Sequence, residues 1–149
     1  GESGQGTSGL VQIVTDTQGA IGYADASQVA ELGKVSVGVG SAFVEYSSEK
    51  AASVVAESPR DDSRKEGDIA IKVARNTTSD KDYPVVLVSY TLACTKYTDA
   101  AKGELVKAFL TYVASEAGQK AAAENAGSAP ISDALRTDVQ ASIDAIGGS

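Results

Sequence analysis

The sequence predicts a mixed α/β protein, and two observations carry this prediction. Short apolar segments, several of them with alternating spacing, occupy the chain as far as Thr95, which is typical of strands with a few helices between them. After Thr98 the apolar residues recur at helical spacing, which is typical of amphipathic helices. No apolar run approaches the roughly 20 residues that a bilayer-spanning helix needs.

The first part of the chain predicts two short helices separated by a strand. Helical spacing of apolar residues over Leu10–Val14 follows a glycine-rich start, and Thr7 or Ser8 is the expected cap. The segment Gly19–Tyr23 has glycines near both ends and predicts a short strand. Asp25 then predicts the cap of a second short helix, which ends at a glycine.

The middle of the chain predicts three strands and one helix. Val35–Val39 alternates valines with small residues and predicts a half-buried strand. Ser47 or Ser48 caps the predicted helix, which ends before a proline. Ile69–Val73 also alternates, and Pro84–Thr95, rich in valine and aromatic residues, is the strongest strand candidate.

The last third predicts three helices. Glu104–Val113 carries apolar residues at helical spacing, so we expect one face to pack inward. Ser115–Ala126 predicts an alanine-rich helix that ends at Gly127. Ser132 or Asp133 caps the last helix, whose apolar stripe is Leu135, Val139, Ile143 and Ile146.

The composition excludes several classes of function. The 149 residues include 20 acidic and 13 basic side chains, a net charge of −7, which argues against binding to nucleic acid or anionic lipid. There is no histidine, the commonest general base and metal ligand. Cys94 is the single cysteine, so it forms no internal disulfide, and its apolar neighbours predict a buried, inert thiol. The chain has no Met and no basic-then-apolar leader, so we expect that it begins inside a longer precursor.

The motifs predict no catalytic site, no cofactor and no metal. Gly4–Gly9 lacks the G-K-[ST] ending of a P-loop; such a loop before a helix can hold an anion, but a flexible, capped connection is the simpler interpretation. The charged residues of Arg60–Asp68 lack the spacing of a calcium loop and predict a solvated loop. Asn76-Thr77-Thr78 is a glycosylation sequon, a short pattern that often arises by chance.

The order of short motifs resembles the phosphate-binding receptors of bacterial ABC importers. In that family a G-x-x-G-V helix leads into G-A-I-G-Y, followed by a Y-P-I strand, an F-L-x-W/Y helix with E-G-Q, and G-Y-x-P-L-P. The corresponding segments here are Gly6–Val11, Gly19–Tyr23, Tyr83–Thr91, Phe109–Gln119 and Ala126–Ser132. The resemblance covers nearly the whole chain, although Ser128 and Ser132 replace the family's Tyr and last Pro.

The resemblance implies a type II periplasmic-binding-protein-like α/β fold with two lobes, of which only the C-terminal half is present. Residues 1–82 would form the remainder of the second lobe. Residues 83–149 would return to complete the first lobe. The implied function is capture of inorganic phosphate for the membrane subunits of an ABC importer, without catalysis.

The phosphate ligands of the family are not transferred to any residue of this chain. The family's Ser-Gly-Thr motif and nearby Arg have no equivalent here, and Thr7-Ser8 is not that motif by order. We expect the phosphate-binding residues upstream of Gly1. The resemblance also implies an extracytoplasmic receptor, at the cell surface or in the periplasm, that is lipid-anchored through an upstream Cys rather than Cys94.

Two alternatives to phosphate capture stay open. The chain could be a structural or interaction module that keeps the receptor fold without ligand binding, or an enzyme that uses Ser, Lys or Asp without His. With half of each lobe missing, apolar faces lack their partners, so we also expect a homodimer of the chain.

Overall fold

The computed structural model describes residues 1–29 and 31–148, which divide into two compact units, Gly1–Val35 and Ser36–Ser149. The described elements are five α-helices, one 3-10 turn and four short strands. The mixed α/β class predicted from the sequence is therefore confirmed. None of the helices in the described part of the chain is long and apolar enough to cross a membrane.

The first unit is built around helix α1, Gly6–Asp16. Gln5 is the N-cap and makes no side-chain hydrogen bond, so the prediction of Thr7 or Ser8 as the cap is wrong; both lie inside the helix. The Asp25 carboxylate accepts a hydrogen bond from the Ser27 N–H at 3.0 Å and starts a 3-10 turn, as predicted. The hydroxyl and N–H of Ser27 also lower the pKa of this carboxyl.

Two expectations for the first unit need correction. The 3-10 turn covers only Ala26–Gln28, shorter than the predicted helix, part of which falls on residue 30, outside the described residues. Gly19–Tyr23 is not a strand: Gly19 lies in a turn with φ of 83°, and no strand of residues 1–29 or 31–148 pairs with the segment. A strand needs backbone partners on an adjacent strand, and local sequence does not supply them.

The second unit begins with a hairpin that forms much of its core. Strands β1, Val37–Val39, and β2, Ala42–Val44, pair antiparallel, and Val39 faces Ala42 across the turn. Gly40 occupies this turn with φ of 59°, a left-handed conformation that favours glycine. Helix α2, Ser48–Ala56, follows, capped by the Ser47 hydroxyl as predicted.

The core of the second unit is small and aliphatic. The buried apolar side chains come from the hairpin, α2 and the C-terminal helices: Val39, Val44, Ala51, Val54, Ala114, Ile143 and Ile146. Burial of one such valine or isoleucine stabilises the fold by about 1.5–3 kcal/mol. Together they fix the hairpin and helices that flank the less regular middle of the chain.

The three C-terminal helices have the predicted order, and the last two begin within one residue of the predicted start, but the first begins at Ala100, ahead of the predicted Glu104. They are α3, Ala100–Ala114; α4, Glu116–Ala126; and α5, Asp133–Asp144. Ser115 and Ser132 cap α4 and α5 through their hydroxyls, and Gly127 ends α4 with φ of 61°. Strands β3, Lys96–Tyr97, and β4, Gly147–Gly148, pair in parallel beside α3.

Four sequence predictions for the second unit are wrong. Pro84–Thr95 forms no strand ladder, and Ile69–Val73 contributes only a single bridge between Arg60 and Ile71. Cys94 is exposed rather than buried. The apolar face of α3 does not pack inward, since Phe109 is 62% exposed. All four predictions assumed a covering layer of structure, which the described residues do not provide.

Candidate functional site

The glycine-rich loop before α1 is explained by its backbone geometry. A Cβ added to Gly4 would lie 2.4 Å from the carbonyl carbon of Gly9, so only glycine fits there. Gly6 has φ of 68° at the first helical position. These constraints account for the glycines without an anion, and we assign no ligand to this loop.

Charged residues of the loop Arg60–Asp68 form ion pairs with nearby side chains of opposite charge. The Lys72 ammonium lies 3.0 Å from Asp61, and Arg60 forms a salt bridge with Asp138 on α5. The Ser63 hydroxyl, and after it Lys72, lower the pKa of Asp61 to about 2. Among residues 1–29 and 31–148 no group of three or more acidic or cysteine side chains could hold a metal ion.

The most unusual surface of the second unit is an extended segment, residues 84–95, which we call the apolar strip. It contains no charged residue, and its Leu87 and Leu92 side chains are 91% and 92% exposed. Within the described part of the chain, no backbone–backbone hydrogen bond joins residues 85–94 to another segment. An apolar strand with apolar residues on both faces is typical of the buried interior of a parallel sheet. The apolar strip therefore has the composition of a buried strand, although it is paired with no strand in the described part of the chain.

Side chains, in place of a ladder, fasten the apolar strip to the second unit. The Arg75 guanidinium donates from Nη1 to the Pro84 carbonyl at 2.8 Å and from Nη2 to the Val86 carbonyl at 3.0 Å. Further along, the Ile71 N–H donates to the Tyr90 hydroxyl at 2.9 Å. The donors, Arg75 and Ile71, both lie within residues 71–75. This short segment therefore holds the apolar strip at two places, near residues 84–86 and at Tyr90.

The start of the apolar strip is anchored by a buried carboxylate. Asp82 is 4% exposed, and its two oxygens accept hydrogen bonds from the Ser53 hydroxyl at 2.8 Å and the Thr77 hydroxyl at 2.7 Å. Buried carboxylates are stable only when hydrogen-bonded, and these two hydroxyls meet that need. Asp82 thus joins α2 and the turn at residue 77 to the point where the chain enters the strip.

Tyr83 adds a second anchor next to Asp82. Its N–H donates to the Lys50 carbonyl of α2 at 3.0 Å, and its ring meets the Tyr46 ring edge-on with centroids 5.5 Å apart. Burial, and then the nearby Tyr46, raise the pKa of the Tyr83 phenol. The chain is therefore fastened at residues 82 and 83 by these contacts, and by Arg75 just beyond them.

Helix α3 continues the exposed apolar surface after the strip. Leu105, Phe109 and Tyr112 recur along it at intervals of three to four residues, and all three are exposed. A segment of strand-like composition followed by a helix with an apolar face is the sequence pattern of a β-α unit. Neither surface brings together a nucleophile, a base and an orienting group.

Sequence reasoning missed both anchoring residues. Arg75 and Asp82 lie in polar stretches that carry no motif, and their roles depend on partners 5 to 29 positions away. The Tyr83-Pro84 step was the available signal, because the residue before proline favours extended backbone.

Comparison with known proteins places the chain in a class of binding proteins. Residues 1–117 match the model of the PBP superfamily domain, so the chain belongs to the PBP superfamily. Similar curated proteins are the phosphate-binding proteins PstS3 of Mycobacterium bovis BCG and PstS 3 of Mycobacterium tuberculosis H37Rv and Mycobacterium leprae. Each is 39% identical over 64 residues, which cover 43% of this chain and 17% of the relative. No solved structure matches the chain significantly.

These matches confirm the resemblance to phosphate-binding receptors that the motif order indicated. The relatives are named for binding and not for a reaction, in line with the expectation of a non-enzymatic protein. The matched stretch spans less than a fifth of each relative's length, so the activity of a whole receptor is a proposal for this chain.

Proposed function

We propose that the chain is part of an extracytoplasmic solute-binding protein that captures inorganic phosphate for an ABC importer. The observation that carries this proposal is the match of residues 1–117 to the PBP superfamily domain, together with relatives named as phosphate-binding proteins. The receptor would deliver phosphate to the membrane subunits of the importer and would be held at the membrane through a lipid-modified Cys upstream of Gly1.

We further propose that the receptor has two lobes and that this chain supplies the C-terminal half. Residues 1–82 complete the second lobe, and residues 83–149 return to complete the first. The apolar strip supports this division, because it starts directly after residue 83 and has the composition of a strand covered on both faces. The exposed face of α3, centred on Phe109, would pack on the same sheet.

The phosphate ligands lie in the part of the receptor that precedes Gly1. A dehydrated phosphate needs several convergent N–H and hydroxyl donors, often with an Arg in bidentate contact. Two arginines of the described chain already bond elsewhere: Arg75 to the carbonyls of the strip and Arg60 to Asp138. We therefore expect this chain alone to bind phosphate weakly or not at all.

Isothermal titration with phosphate tests the proposal on two samples, this chain and the complete product of its gene. The complete product should bind phosphate at micromolar or lower concentration. This chain should bind at least about a hundredfold more weakly, a loss of about 2.8 kcal/mol. Absence of phosphate binding by the complete product would overturn the proposed function, and micromolar binding by this chain would overturn the placement of the ligands.

A second candidate is a structural or interaction module that keeps the receptor fold without ligand binding. The extent of exposed apolar surface on the strip and α3 favours it. The two candidates differ in thermal unfolding, because a ligand specific for the native state stabilises by RT ln(1 + [L]/Kd). Phosphate should raise the Tm of the complete product if it is a receptor and leave it unchanged if it is only a module.

A further inference from the structure

We propose that Arg75 is a positioning residue that holds the first part of the apolar strip extended and fixes the direction in which it leaves the second unit. The proposal concerns residues 84–90, which form neither helix, turn nor bend. Nothing in the backbone hydrogen bonding of the described chain holds residues 85–90 in that shape. Side-chain contacts must therefore supply the restraint: Arg75 acts at residues 84 and 86, and the Tyr90 hydroxyl, bonded to the Ile71 N–H, acts at the far end.

The Arg75 contact has the geometry that an extended segment requires. Carbonyls of residues two apart point to the same side of an extended chain, as those of Pro84 and Val86 do toward the two Nη atoms. A planar guanidinium spans such a pair with a fixed fork of donors, whereas an ammonium is a single point of contact. Arg75 thus takes the place of the first donors of a neighbouring strand.

The Arg75 contact also determines which part of the strip stays free. On the edge facing Arg75, the carbonyls of Pro84 and Val86 are occupied, and the next one on that edge belongs to Val88. The rigid anchor immediately before the strip, at Asp82, prevents the segment from rotating as a whole. The strip therefore leaves the second unit in one direction, with the backbone of residues 88–93 available for pairing.

The consequence for a receptor rests on the proposed function. In a two-lobed receptor, residues 83–86 would cross between lobes, and Arg75 would make this crossing stiff. The positioning itself is a property of this chain and is measured without phosphate. A failure of phosphate binding and a failure of the Arg75 restraint are therefore separate results.

The experiment measures a distance distribution by double electron–electron resonance. Spin labels are placed at Leu87→Cys, in the strip, and Ala56→Cys, at the exposed end of α2, in a Cys94→Ser background that leaves no other thiol. The variants are Arg75→Ala, which removes both guanidinium hydrogen bonds to the strip, and Arg75→Lys, which keeps the positive charge. Lys72→Ala is the matched control, because it removes a nearby cation whose partner is Asp61 and not the strip.

Arg75→Ala should widen the distance distribution about twofold, and Arg75→Lys should widen it by a smaller amount. Lys72→Ala should leave the width unchanged. An unchanged width in Arg75→Ala, or equal widening in Lys72→Ala, would overturn the proposal. Should Arg75→Ala fail to fold by circular dichroism, Arg75→Lys decides: a width equal to that of the parent overturns the proposal, and a wider one supports it.

Discussion

Asp82 and Ser53 are joined by a hydrogen bond of 2.8 Å between a buried carboxylate and a helix hydroxyl, 29 positions apart in the sequence. The Thr77 hydroxyl donates a second hydrogen bond, of 2.7 Å, to the other oxygen of the same carboxylate. Among the described residues, no Lys or Arg forms a salt bridge with Asp82. Two neutral donors therefore compensate for the desolvation of this charge, which makes the site sensitive to the loss of any one member.

Asp82→Ala should destabilise the chain by about 1–3 kcal/mol, because the hydroxyls of Ser53 and Thr77 lose their acceptor in a buried place. Urea unfolding followed by circular dichroism measures the change. Asp80→Ala, at an exposed position two residues away, is the control and should change stability by less than about 0.5 kcal/mol. Equal effects of the two substitutions would show that the buried network does not stabilise the fold.

Gly127→Ala should destabilise the chain by about 1–2 kcal/mol, because Gly127 ends α4 in the left-handed region, at φ of 61°. Gly38→Ala is the matched control: it has no atom within 4 Å of the added Cβ and no positive φ. We expect it to be neutral or slightly stabilising. Thermal unfolding compares the two variants, and a Tm of Gly127→Ala equal to that of the parent would contradict the assignment of this cap.

Asp61 should give the chain a stability that is present above about pH 4 and is lost toward about pH 2. The reason is that its folded pKa, about 2, lies below the ordinary value of 3.8, so the unfolded state binds protons first as the pH falls. Asp61→Asn should weaken this acid dependence of unfolding, whereas Asp62→Asn is the neighbouring control. Carboxyl titration by NMR should also place the pKa of Asp61 closer to 3.8 in Ser63→Ala; an unmoved value would contradict the role of that hydroxyl.

Helix boundaries could be predicted from the sequence because caps are local. Ser47, Ser115 and Ser132 each accept from an N–H three residues ahead, and Gly127 needs only its own backbone conformation to end α4. A reader of the sequence sees every partner of such an interaction within one turn. There are two exceptions. Gln5 precedes α1 without a side-chain cap bond, so the prediction of Thr7 or Ser8 as its cap was wrong. Helix α3 begins at Ala100, capped by Asp99, and not at the predicted Glu104.

Strands and burial could not be predicted in the same way because they depend on distant partners. Pro84–Thr95 has strong strand composition, yet a ladder needs backbone partners, and within residues 1–29 and 31–148 the backbone of no other segment bonds to the backbone of residues 85–94. The same reason explains why Cys94 and the apolar face of α3 are exposed and not buried as predicted. Their apolar neighbours in the sequence suggested a covering layer. The roles of Arg75 and Asp82 could not be predicted either. Each bonds to residues several positions away, and no sequence motif links it to those partners.

Cys94 should react with a thiol reagent under native conditions, contrary to the expectation of burial. It is exposed in the structure, and its N–H donates to the Tyr97 hydroxyl at 3.2 Å, which restrains the backbone and leaves the thiol open. At concentrations below those at which the chain self-associates, labelling with dithionitrobenzoate should reach one thiol per chain, at a rate within about tenfold of that in urea. Labelling only after unfolding would mean that the strip is covered in solution, by a second copy or by another part of the second unit.

The apolar strip should mediate self-association of the chain. Leu87 and Leu92 are almost fully exposed, and exposed apolar surface of this extent favours association. The strip also offers unpaired backbone groups and no charge that would repel a second copy, which is the condition under which strand edges pair. Leu87→Ser with Leu92→Ser should therefore shift sedimentation velocity toward the monomer at concentrations where the parent associates. Phe43→Ser removes a similarly exposed apolar side chain from β2, outside the strip. It should change the proportion of monomer in sedimentation velocity less than the double leucine variant does. A parent that is monomeric at all concentrations, or an equal shift in both variants, would rule out pairing through the strip.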